Sequence, residues 1–123
     1  MKTVIATLKP FKLDEVRQAL SDLGFTGFRV IETKGFGRQK GHMELFHGTE
    51  YTVDFLPKVD LIITVQDKDA DRVVQGILQV ARTGSNRGDG RITVIPTEQF
   101  WNIRTGENEA DEENNAAKVE TVE

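Results

Sequence analysis

Thr3-Val4-Ile5-Ala6-Thr7-Leu8 is a short run rich in β-branched residues, closed by Pro10, and reads as a strand. The spacing then changes. Leu13, Val16, Ala19, Leu20 and Leu23 recur at three- and four-residue intervals, with Asp14, Glu15, Arg17, Gln18 and Asp22 on the other face. This predicts an amphipathic helix that Gly24 ends in a left-handed cap. Phe28-Arg29-Val30-Ile31-Glu32-Thr33 predicts a second strand. The same order then returns, with Leu61 standing 56 positions after Ile5. Val59, Leu61, Ile63 and Val65 alternate with Asp60, Ile62, Thr64 and Gln66 as a strand. Asp67 or Asp69 is placed to cap a helix whose stripe is Ala70, Val73, Val74, Ile77, Val80 and Ala81 and which Gly84 ends. Arg91-Ile92-Thr93-Val94-Ile95 follows as a strand stopped by Pro96.

The chain is thus a doubled β-α-β unit with a long connection between its halves. With short crossovers, two such halves most economically form one antiparallel four-stranded sheet carrying both helices on one face, an α+β, ferredoxin-like arrangement. The other face stays uncovered. Ile5 and Ile62 fall on the opposite parity from Leu61 and Ile63, so both faces carry apolar surface, and self-association is the expected way to bury it.

Composition narrows the chemistry. At 123 residues one compact domain is expected, and the absence of cysteine excludes disulfides, thiolate metal sites and Cys nucleophiles. His42 and His47 are the only imidazoles, so a three-histidine metal site within one chain is excluded too. Apolar runs such as Leu61-Ile62-Ile63 fall far short of the ~20 residues that span a bilayer, and the start of the chain lacks a signal-peptide core, which makes a cytoplasmic protein the expectation. The net charge of -4 conceals an asymmetry: from Glu107 onward seven acids face Lys118 alone, leaving 15 basic and 13 acidic residues in 1–106. A mildly basic body at 1–106 therefore precedes an acidic tail at 107–123, expected to be mobile because it is poor in large apolar residues. A solvated solubility tail and a partner-binding tail are both open readings.

Two connections hold the candidate chemistry. Lys34-Gly35-Phe36-Gly37-Arg38-Gln39-Lys40-Gly41-His42 opens a connection running to about Pro57, and one this long without regular structure is usually functional or mobile. Its glycines let backbone N–H groups converge while Arg38 and Lys40 add positive charge, which suits a phosphate or carboxylate; a plain chain reversal is the alternative. The second, Arg82-Thr83-Gly84-Ser85-Asn86-Arg87-Gly88-Asp89-Gly90-Arg91, holds three Gly and three Arg in ten residues. It lacks the Gly-Lys-Ser/Thr of a Walker loop and leads into a strand, so a phosphate grip here would use loop amides and Arg forks. A turn tipped by Asp89-Gly90 is the alternative. Arg104-Thr105-Gly106, just past the last strand, is placed to return to the same mouth.

No Ser stands in a nucleophile-elbow context and no carboxylate pair is flagged by spacing, so the expectation is a protein that is not an enzyme. The basic excess of the body is small and its strands lack stacking aromatics, so no direct nucleic-acid binding is expected. Tyr51, the only tyrosine, lies in the far part of the long connection, accessible to a partner or a modifying enzyme, or else part of a strand.

Several of these segments occur together in a recognisable order. Lys9-Pro10-Phe11-Lys12-Leu13-Asp14-Glu15-Val16, Lys34 to His42, Glu50-Tyr51, Val53 to Val59, Gly88-Asp89-Gly90-Arg91 and Arg104-Thr105-Gly106-Glu107 resemble the PII nitrogen-regulatory signal-transduction proteins over residues 1–107. The resemblance implies a ferredoxin-like homotrimer that binds ATP or ADP in clefts between subunits and 2-oxoglutarate alongside Mg-ATP. It makes residues 36–56 a T-loop, 82–91 a B-loop and 102–106 a C-loop. By likeness, Gly35, Phe36, Gly37, Arg38, Lys58, Thr83, Gly88, Asp89, Gly90, Arg91 and Arg104 would contact nucleotide, with Arg38 coming from a neighbouring subunit. Gln39, Lys40, Gly41, Lys58 and Gly88 would contact 2-oxoglutarate, and Gln39 would also coordinate Mg2+, whose preference for oxygen donors fits phosphates and a 2-oxo acid. The resemblance further implies control of partners such as an ammonium transporter or adenylyltransferase, uridylylation at Tyr51 and, more weakly, phosphorylation at Thr49.

Three departures from the family pattern stand out. The B-loop is one residue longer and lacks a lysine, Asn102 stands where arginine is common, and Ile62 stands where glutamate is common. Replacing an arginine at position 102 removes a charge-assisted phosphate contact worth ~1.5–3 kcal/mol, which Arg87 is placed to offset.

Overall fold

The computed structural model describes residues 1–35, 44–46, 49–51, 56–84 and 88–111. Its elements in chain order are β1 (Lys2–Leu8), a one-turn 3-10 helix (Pro10–Lys12), α1 (Leu13–Asp22), β2 (Arg29–Gly35), β3 (Glu44–Phe46), β4 (Thr49–Tyr51), β5 (Leu56–Val65), α2 (Asp67–Ala81), β6 (Gly90–Pro96), β7 (Trp101–Asn102) and β8 (Glu107–Asn108). Four strands form one sheet in the order β2-β5-β1-β6, with every neighbouring pair antiparallel. This is the double β-α-β, ferredoxin-like fold that the periodicity predicts.

Strand alternation builds the core. Val4, Ala6 and Leu8 of β1 and Val59, Leu61, Ile63 and Val65 of β5 are buried on one face of the sheet, where they pack with Val16 and Leu20 of α1 and with Ala70, Val73 and Ile77 of α2. The opposite parity forms the second face. There Ile5 pairs with Ile62, Thr7 Oγ1 donates to Asp60 Oδ1, and the Thr3 and Thr64 hydroxyls lie 2.9 Å apart. Ile31 and Ile95, which share this face on the flanking strands, are 49% and 43% exposed.

The helix ends show which local signals operate. Gly24 takes φ 93°, its N–H donates to the Ser21 carbonyl and the Phe25 N–H reaches back to Leu20, so α1 ends as its sequence predicts. Arg72 of α2 locks this end by donating to the Leu23 carbonyl at 3.2 Å while its guanidinium lies 5.2 Å from the Phe25 ring centre. Two expectations at α2 fail. Gln66 occupies the N-cap with no side-chain capping bond, and Asp67 and Asp69 sit inside the first turn, where their charge still suits the helix dipole. Asp67 pairs with the terminal amine of Met1 at 3.0 Å. At the other end α2 stops at Ala81 because Arg82 is already extended, so Gly84 (φ 79°) belongs to the following turn.

The long connection contains regular structure. β3 and β4 pair antiparallel as a small ribbon, with Glu44 opposite Tyr51 and Phe46 opposite Thr49, so Tyr51 is a strand residue. Of the tail expected at 107–123, Glu107–Asn108 form β8 and the Glu109 N–H donates to the Phe100 carbonyl, while 112–123 lie outside the described residues. A second small hairpin, β7–β8, follows β6. No described helix is long and apolar enough to cross a membrane.

Candidate functional site

The sheet register brings both glycine-containing connections to one end of the molecule. Gly35 at the end of β2 pairs with Leu56 at the start of β5, and Leu8 at the end of β1 lies between Val59 of β5 and Gly90 of β6. The connections after β2 and after α2 therefore border the same end of the sheet, although some fifty residues separate them in sequence.

Gly90 makes the closest approach. Its φ is +118°, and a Cβ there would stand 1.8 Å from the Thr7 carbonyl oxygen and 3.1 Å from the Leu8 Cα. Only glycine allows β6 to begin so near β1. With Leu8 opposite Gly90, the next residue along β1 is brought beside the residue preceding Gly90. The Lys9 ammonium accordingly stands 3.6 Å from the Asp89 carboxylate.

Asp89 closes the turn. Its Oδ2 accepts the Thr83 N–H at 3.2 Å, and its Oδ1 accepts the Thr83 hydroxyl. These two Thr83 bonds, helped by the Lys9 charge, hold the Asp89 carboxyl below its ordinary pKa against a smaller desolvation effect. Thr83 and Asp89 thus cinch the two ends of the turn, and Gly88 follows the left-handed backbone (φ 71°) that such a reversal needs. Lys58, from β5, donates to the Gly88 carbonyl. Partial burial and repulsion from Lys9 lower the Lys58 pKa, and Asp89 opposes them.

Two hollows flank this cluster. One, of about 330 Å³, has an apolar floor including Ala6, Leu8, Ile77 and Ile92 and a rim bearing Arg82, Asp89 and Arg91. The other, of about 540 Å³, lies at the root of the long connection between Glu32, Lys34, Pro57 and Lys58. The arrangement offers cations, a glycine-containing turn and an apolar wall, which is chemistry suited to an organic anion. Among the described residues no group of three or more His, Asp or Glu could hold a metal ion.

Of the residues singled out from sequence, the structure brings Lys58, Thr83, Gly88, Asp89, Gly90 and Arg91 together. Gly35 lies at the sheet end that borders them. Phe36, Gly37, Arg38, Gln39, Lys40 and Gly41 lie outside the described residues, and Thr49 and Tyr51 lie on β4. Arg104 does not return to this mouth within the chain. β6 carries the backbone away from Gly90 to Pro96, and the β7–β8 hairpin is rooted at that far end, where the Thr97 N–H donates to the Met1 carbonyl and Gln66 to the Glu109 carbonyl. Asn102 organises the hairpin loop: its Oδ1 accepts the N–H groups of Arg104 and Thr105 at 2.9 and 3.2 Å, and its Nδ2 donates to Glu109. Sequence reasoning missed this cap and also missed Lys9. The Asn102 to Gly106 spacing was a usable turn signal, since an Asn side chain commonly mimics a backbone acceptor. Lys9 stood only in the Lys9–Val16 segment of the family resemblance, with no role attached to it.

The fold and this end of the sheet define a ferredoxin-like double β-α-β protein whose glycine-shaped end gathers Lys9, Lys58 and Arg91 around the Asp89 turn. The chain belongs to the nitrogen regulatory protein P-II family, which it matches over residues 1–107. It is 53% identical over 111 residues to the nitrogen regulatory protein P-II of Pasteurella multocida, covering 90% of this chain and 98% of that protein. It is 52% identical over 111 residues to that of Azospirillum brasilense, with the same coverage. With the nitrogen regulatory protein P-II 1 of Escherichia coli K12 it shares 54% identity over 107 residues, 87% of this chain and 95% of that protein.

Proposed function

We propose that this protein is a non-enzymatic nitrogen-regulatory signal protein. It binds ATP or ADP with Mg2+, together with 2-oxoglutarate, in clefts between the subunits of a homotrimer, and presents residues 36–56 to protein partners. The observation that carries the reading is the meeting of both glycine-containing connections at one sheet end, with Lys58 between them. The turn cinched by Thr83 and Asp89 presents backbone donors to phosphates, and Arg91 adds charge at the rim. Lys58, which donates to the Gly88 carbonyl here, turns to a ligand carboxylate when the site fills. Gln39 supplies an oxygen to Mg2+, and Lys40 and Gly41 supply backbone groups to the 2-oxo acid.

Association completes this site. The exposed isoleucines of the open sheet face favour burial against other copies, and Arg104, remote within its own chain, then serves a neighbour's nucleotide together with Arg38. Each liganded state stabilises one shape of residues 36–56 over others, and partners bind those shapes differently. An ammonium transporter and an adenylyltransferase are the partner classes in view. Tyr51 is the residue for uridylylation, with Thr49 a weaker candidate for phosphorylation.

Calorimetric titration tests the reading. Mg-ATP should bind saturably and 2-oxoglutarate should tighten it, while sedimentation should give three chains per particle. Absence of heat with either nucleotide, or a particle that stays monomeric, would remove it.

A further inference from the structure

The Lys9 ammonium lies where three features of the anion cleft meet, and no role is yet attached to it. Its backbone is fixed twice over. Leu8 pairs with Gly90 on one side, and on the other Pro10 opens the 3-10 turn in which the Lys12 N–H donates to the Lys9 carbonyl at 3.0 Å. A residue before proline is confined to extended geometry, and Lys9 has φ -67° and ψ 137°. The side chain is three-quarters buried, and its Nζ faces the same Asp89 Oδ1 that accepts the Thr83 hydroxyl. On the neighbouring strand Lys58 holds the Gly88 carbonyl, so two lysines flank consecutive residues of one turn, one gripping a side chain and the other the backbone.

We propose that Lys9 is a positioning residue of the anion site: acting through Asp89, it holds the Thr83–Asp89 closure in place and sets the charge with which Lys58 meets an incoming anion. The inference rests on the anion-binding reading above. Asp89 alone could cinch the turn through Thr83, but Lys9 adds a cation that a turn anchor does not need and that stands beside the very lysine offered to ligand. Among the described residues, the charged groups around Lys58 are Lys9 and Asp89 on the turn side and Glu32 and Lys34 across the second hollow; Asp60, two residues along β5, is taken up by the Thr7 hydroxyl. Lys9 and Asp89 act on the Lys58 proton in opposite senses. Removing Lys9 lifts a repulsion and leaves Asp89 less firmly held, and both changes favour protonated Lys58.

The test compares Lys9→Met with Lys9→Arg in the full chain. Dimethylating the lysines with a 13C label and following them by NMR across pH, with Lys58→Arg to assign the signal, reads the Lys58 midpoint without any ligand. Lys9→Met should move that midpoint upward, and Lys9→Arg should leave it near the parent value. In parallel, titration with 2-oxoglutarate in the presence of Mg-ATP should show binding to Lys9→Met persisting to higher pH. At neutral pH, Mg-ATP should bind it roughly two- to fivefold more weakly, the scale of a partly exposed ion pair. An unmoved Lys58 midpoint in Lys9→Met would overturn the proposal, as would a Lys9→Arg protein that titrates like Lys9→Met. A parent protein that takes up neither ligand would dismiss the functional reading, while the ligand-free titration would still decide the role of Lys9.

Discussion

Replacing Gly90 by alanine tests whether the approach of β6 to β1 governs this end of the molecule. The added Cβ would meet the Thr7 carbonyl oxygen at 1.8 Å and its carbon at 2.8 Å, and both are backbone atoms that no rotamer change can move aside. The backbone at φ +118° is also one that L side chains rarely adopt, a strain of about 1–3 kcal/mol. Relief requires the first row of the β1–β6 ladder to part, with loss of one or two hydrogen bonds at about 0.5–1.5 kcal/mol each. The sum is about 1.5–6 kcal/mol, a substantial share of the ~5–15 kcal/mol that holds a domain of this size together. Gly24→Ala is the control, since its φ is +93° but nothing lies within 4 Å of its Cβ position, so it carries the conformational strain alone, about 1–2 kcal/mol. With a urea slope of about 2 kcal/mol per molar, Gly90→Ala should lower the unfolding midpoint by about 2 M and Gly24→Ala by under about 1 M. Both are to be measured at one protomer concentration, because association adds to apparent stability. Equal shifts for the two variants would refute the reasoning, since the clash would then contribute nothing.

Three further outcomes follow from the packing and electrostatics. Leu61→Ala empties a fully buried position at the centre of the helix-covered face and should lower stability by about 2–5 kcal/mol in the same urea assay. Asp89 titrates below its ordinary 3.8 when folded, so its stabilisation is complete above that value and disappears as pH falls through the lower folded midpoint; Asp89→Asn should flatten that part of the acid-unfolding curve. Asn102→Ala removes the acceptor for the Arg104 and Thr105 amides and should speed their hydrogen exchange by about tenfold, while Leu61 and its neighbours keep their protection.

The extent to which sequence anticipates structure varies along the chain for identifiable reasons. Ser21, Leu20 and Gly24 end α1 as expected, because every bond of that cap spans five residues or fewer. The start of α2 departs from expectation because Asp67 finds the Met1 amine, a partner 66 positions away that competes with any local capping bond. Asn102 reads as a lost phosphate contact when compared with its family and as a loop organiser when seen in place. Only the fold shows that its amide is committed to Arg104, Thr105 and Glu109.

By itself the sequence determined the doubled β-α-β order, the apolar parity of each strand and the glycine-rich character of two connections, since these follow from residue types at short spacing. Which cations share a turn was decided by tertiary structure. Lys9, Lys58 and Asp89 meet because antiparallel pairing sets Leu8 against both Val59 and Gly90, and a contact made through register across a sheet leaves no periodic trace along the chain. The same register leaves Arg104 at the far end of β6, so a position adjacent to the last strand in sequence became remote from the cleft in space.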